Sequence, residues 1–279
     1  MVAFMIRESS AGHVDGAAPK LGQLVRQEFR RAFQSPYVAP SVVVINGLLM
    51  TGAWFLLPAR WQDALFSLHG TFAFALVLAS WMYADVPATN VLGVGAQASL
   101  EALDDPLALG RLLNARDIVL WMLVTPICVL VALGIGVYET QWTRTVVTVV
   151  TIVVPPFGAL GVAAWLGVRF PYHPISLAER WRERRSWWHM WVRWLALVLL
   201  PYVIVPGLAA VTLLPAYVFW TVTGHGQYAQ LDDLRLASGA LLTLVVSLAM
   251  WKLGRRMSVR LVHQHAEYLR SYLADPSRG

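Results

Sequence analysis

Residues able to do chemistry are thinly scattered through this 279-residue chain. There is no HExxH pair for zinc, no GxSxG nucleophile elbow and no acidic run suited to a metal. Asp104 with Asp105, and Asp232 with Asp233, are isolated acidic pairs. The seven histidines stand apart. Only His69 falls clearly within an expected span, where a haem would want a second ligand, while His263 and His265 are two apart and share no helix face. Lys20 and Lys252 are the only lysines and neither sits in a glycine-rich loop, so the chain carries no P-loop of its own. The single Cys128 cannot form an intramolecular disulfide and reads as a small packing residue. No catalytic, metal or cofactor-binding residue is therefore assigned, and no cofactor is expected in this chain.

The elements that could position a site are far plainer. Charge is absent from Ala32 to Ala59, Ala64 to Ala84, Ile118 to Tyr138, Thr145 to Val168, Trp194 to Leu231 and Leu236 to Trp251. A spanning helix needs roughly 20 apolar residues, and most of these windows are long enough. With 57% hydrophobic and 14% charged residues and a mean hydropathy of +0.56, a soluble fold of this length would lack the polar surface to coat it. Many of the 13 tryptophans lie beside window ends, among them Trp61, Trp81, Trp142, Trp191, Trp194 and Trp251, as an interfacial belt or as helix–helix packing. Met1 to Ser35 lacks an apolar signal region, so the first window is expected to act as a signal-anchor.

Basic residues set the orientation. Five lie in the N-terminal arm, two between windows two and three, six after window four and six in the tail, against single arginines at Arg60, Arg144 and Arg235. The positive-inside rule then places both termini in the cytoplasm with six crossings. This distribution also explains the pI near 9.8 without nucleic acid. The fifth window is too long for one span, and two spans would put the basic tail outside. The expected solution is one crossing from about Trp194 to Leu214, then a re-entrant or interfacial outer segment around Tyr217 to Tyr228. Pro215, Gly224 and Gly226 punctuate it, and Tyr217, Trp220 and His225 lie within it.

Four cytoplasmic elements follow. Leu21, Leu24, Val25, Phe29, Ala32 and Phe33 recur at helical spacing, with Arg26, Arg30 and Arg31 pointing elsewhere, as in a basic amphipathic helix at the membrane surface. Asp104 and Asp105 before Pro106, followed by Leu107, Leu109, Leu112 and Leu113, predict a capped short helix attached to the third crossing. It is suited either to transmit force from a partner or to pack on the membrane. Arg180, Arg182, Arg184 and Arg185 stand among tryptophans, a composition suited to anionic lipid, an acidic partner or topology alone. A last helix follows Met257. The expected organisation is an arm over residues 1–36, an all-α six-helix membrane domain over 37–256 and a helical tail over 257–279.

The stretches LGQLVRQEFRRAF (Leu21 to Phe33), LDDPLALGRLLNARDIVLW (Leu103 to Trp121) and GVRFP (Gly167 to Pro171), together with a broken segment before the last span, resemble the membrane subunit of ABC-2-type exporters. The glutamate-glycine pair of drug-type members is absent between spans two and three. The resemblance implies a multi-pass permease in a bacterial plasma membrane, dimerising as homo- or heterodimer and coupled to a separate P-loop ATPase that holds ATP and Mg. Carried onto this sequence, coupling would fall to Arg26, Arg30, Asp104, Asp105, Pro106, Leu109, Arg111, Leu112 and Arg116. Two other readings stay open from the residues: a membrane enzyme acting on lipid or polyprenyl substrates, with Arg180 to Arg185 holding phosphate, and a non-catalytic scaffold.

Overall fold

The computed structural model describes residues 20–34, 38–58, 70–83, 90–93, 95–169, 171, 204, 207–222 and 233–275. Every element among them is helical: α1 (Leu21–Ala32), α2 (Val38–Leu56), α3 (Thr71–Tyr83), α4 (Ala96–Ala102), α5 (Pro106–Glu139), α6 (Trp142–Val153), α7 (Pro155–Arg169), α8 (Gly207–Val222), α9 (Asp233–Gln264) and α10 (Ala266–Ala274). Among the described residues four stretches are long and apolar enough to cross a bilayer: Ala39–Leu56, Pro106–Glu139, Trp142–Arg169 and Leu234–Gln264. α3 and α8 are apolar but shorter, at 13 residues and 16 residues.

The cap at Asp105 forms as its sequence predicts. Its carboxylate accepts the Leu107 N–H at 2.8 Å, and Pro106 takes the first helical position, where a missing N–H costs nothing. The expected short helix and third crossing are one element, however. α5 runs 34 residues without a break, about 51 Å, some 20 Å more than a hydrocarbon core. α5 ends where Thr140 turns left-handed (φ 53°), and α6 starts two residues later, so this connection is short.

The fourth window is bent. Pro155 and Pro156 lack amide hydrogens, so the helix stops at Val153 and restarts as α7. Side chains from two other helices occupy the gap. The Ser247 hydroxyl of α9 donates to Val154 O at 2.7 Å and accepts the Gly158 N–H at 2.9 Å, replacing one helical bond by a bridging oxygen. The Trp121 indole of α5 donates to Val153 O at 2.9 Å. Below the bend α7 and α9 form the closest pair, since a Cβ on Gly254 would sit 2.3 Å from Gly161 O. Backbones approach this closely only where both residues are small.

Pro215 does not interrupt the chain as its sequence suggests. α8 passes through it and continues past Tyr217 and Trp220 to Val222. A membrane helix tolerates proline because one freed carbonyl is readily re-satisfied. The Trp220 indole donates to Arg235 O at 2.9 Å and fits the notch above Gly239, so α8 reaches the start of α9. Gly224, Gly226 and His225 lie outside the described residues. The boundary expected at residue 256 falls inside α9, which continues to Gln264 before His265 turns the chain into α10.

Two apolar cores stack along the helices. One joins α2, α3, the middle of α5 and parts of α6 and α7 around Met50, Tyr83, Val124 and Cys128; there the Tyr83 and Thr125 hydroxyls hydrogen-bond to each other. The other joins α4, the first turns of α5, the last turn of α7, the end of α9 and α10 around Leu103, Leu109, Leu113, Val262 and Leu269. The second core lies at the arginine-rich end, where α1 also packs on α5.

Candidate site at the arginine-rich end

The first three turns of α5 hold this end together. Arg116 is buried, and its Nε donates to Glu28 Oε2 of α1 at 3.3 Å. Its Nη1 donates to Val91 O and, at 2.9 Å, to Ser99 Oγ, while Nη2 donates to Gly95 O at 3.2 Å. Glu28 also accepts from Arg31 at 2.8 Å. One guanidinium thus fastens the amphipathic helix, the turn before α4 and α5. Gly95 is left-handed (φ 78°), a conformation that favours glycine, and a Cβ there would press on the tip of the Arg31 side chain at 2.8 Å.

One position along α5, Asp117 turns to α9. Its carboxylate, 2% exposed, accepts from Arg255 and, at 2.9 Å, from the Trp251 indole. Arg255 Nε donates to Asn114 Oδ1 at 2.7 Å, and its buried Nη1 has no partner among the described residues. At the surface, Arg270 of α10 pairs with Asp104. These buried charges are each held against an opposite one within one turn of α5, where an unpaired charge would be strongly unfavourable.

The residues expected to couple to a partner divide into two groups. Asp104, Asp105, Pro106, Arg26 and Arg30 are exposed, and Leu107 beside them is 70% exposed, an apolar knob with no helix covering it among the described residues. Leu109 and Leu112 are buried in the second core, and Arg116 is spent on internal bonds, so none of the three presents a contact surface. Arg111 is half-buried. Arg180, Arg182, Arg184 and Arg185 lie outside the described residues.

The chain matches no family model, no curated protein and no solved structure. Among the described residues no group of three or more His, Cys, Asp or Glu could hold a metal ion. Glu28, Asp117 and Arg255 were not singled out from the sequence, although helical phase reveals them. Asp117 follows Leu109 and Leu113 at four-residue steps, Arg255 follows Ser247 and Trp251 likewise, and Glu28 follows Leu24. Trp251 and Trp81 pack between helices, whereas Trp142 is exposed as an interfacial belt residue would be.

Proposed function

We propose that this chain is the membrane-spanning subunit of an ATP-driven exporter of the ABC-2 type, with six crossings and both termini in the cytoplasm of a bacterial cell. It works as a dimer of permease subunits beside a separate P-loop ATPase, which binds ATP and Mg. The observation that carries the reading is α5. An exposed, capped knob at Asp104 to Leu107 is continuous with a 34-residue helix reaching the far end, and Arg116 and Asp117 fasten α1 and α9 to that rod. Force applied to the knob moves three helices together. Exposed apolar side chains on α2 and α8, including Leu48, Leu49, Leu214 and Val218, supply faces for lipid and a second subunit. The absence of charge between Ile118 and Tyr138 and in the other windows favours a lipid-like or hydrophobic cargo over ions.

Purification of the full chain from its native membrane in mild detergent tests this directly. A stoichiometric P-loop ATPase is expected in the eluate, and a Leu107→Cys variant is expected to crosslink to it. An eluate lacking any such ATPase sinks the proposal. Turnover of lipid phosphates by the lone chain, lost in Arg182→Ala with Arg184→Ala, would support the enzyme reading instead.

A further inference from the structure

A cavity of about 780 Å³ opens between α1, α4 and the start of α5. That volume suits a small ligand or a headgroup. Its charged lining is Glu28, Arg30, Arg31 and Glu101, two of each sign, with the amides of Gln27 and Gln34 between them. Glu28 is already shared between Arg31 and Arg116. Among the described residues Arg30 makes no ion pair, and Glu101 accepts only the Gln97 amide, at 3.2 Å. Among the described residues Arg30 and Glu101 therefore face the same space with no ion pair between them.

The depth of the cavity narrows its occupant. Gln34 stands five positions before Ala39, where the first candidate span begins, and Leu112 on the opposite wall lies six before the charge-free stretch of α5. At about 1.5 Å per helical residue the Leu112 wall stands within roughly 10 Å of the hydrocarbon edge, the headgroup layer. An anionic lipid would satisfy Arg30 and be repelled by Glu101; a headgroup with phosphate and primary ammonium satisfies both. We propose that this cavity seats the headgroup of a zwitterionic aminophospholipid, phosphate on Arg30 and the Gln27 and Gln34 amides, ammonium on Glu101. Bound there, the lipid bridges α1 to α4 beside the Arg116 network. The assignment rests on the membrane-embedded fold and is independent of any ATPase.

Delipidated full-length protein in detergent, with dioleoyl phosphatidylethanolamine or dioleoyl phosphatidylglycerol added, separates the outcomes by native mass spectrometry. The ethanolamine lipid is expected to be retained about fivefold better, the upper range for a partly exposed ion pair. Glu101→Gln is expected to remove that preference, Arg30→Gln to weaken both lipids, and Ala108→Trp, which fills the space without changing charge, to abolish retention of both. Equal retention by the unaltered protein, or a preference that survives Glu101→Gln, overturns the proposal. So does complete displacement of the lipid by free phosphoethanolamine at the same concentration, or an Ala98→Cys variant that crosslinks to a partner protein instead of a lipid probe.

Discussion

Asp117 and Arg255 sit where water is excluded, and each holds the other's charge in place. Asp117→Ala leaves a guanidinium buried and unpaired, an expected loss of about 3–5 kcal/mol. In thermal unfolding of the detergent-solubilised chain, replacing both residues by apolar ones of similar volume should cost less than this single change. If the double variant is the worse of the two, pairing is not what Asp117 supplies. Asp104→Ala removes a pair whose side chains are largely exposed and should change the same melt by under about 1 kcal/mol. Residues of this kind were half legible. The exposed acidic cap could be read from Asp104, Asp105 and Pro106 in order. Asp117 and Arg255 could not be read from the charge-free windows, because a scan that treats charge as a boundary places both outside the spans they join. Glu28 was hidden for a related reason: on a basic helix the eye follows the arginines, and the buried position belongs to the one acid opposite Arg116.

Between elements, the decisive quantity is how closely backbones approach. Gly254→Ala places a Cβ against the backbone of Gly161 and should lower the melting temperature, by at least about 1 kcal/mol in stability. Gly134→Ala, on a helix surface with nothing within 4 Å, should raise it by up to about 1 kcal/mol. Equal effects at the two sites would refute the close packing of α7 on α9. Asp105→Ala removes the cap of α5 at about 1 kcal/mol, and hydrogen exchange should accelerate at the Leu107 amide before any other on that helix. The bend at Pro155 and Pro156 was visible as a proline pair. What repairs it was not, since Ser247 lies 93 positions away and nothing local to either segment announces the match. Pro215 shows the reverse case, a breaker in sequence that the helix passes through.

At the scale of the molecule, the two stacked cores divide labour along the helices. The apolar one could be foreseen from the windows alone; the one at the arginine-rich end could not, because α4 is too short for a periodicity to be read and the helix expected after Met257 does not announce what it packs on. A reporter fused after Gly279 is expected on the cytoplasmic side, and its appearance outside would overturn the six-crossing orientation. The bend in α6 and α7 gives the whole an unusual mechanical property. The two halves of that crossing are spliced through an oxygen belonging to a third helix, with contacts of 2.7 Å and 2.9 Å. A slide of α9 by one residue's rise, about 1.5 Å, would lengthen at least one of the two contacts. The stiffness of one helix is thereby made to depend on another's position, since its two halves are joined through an atom that α9 supplies.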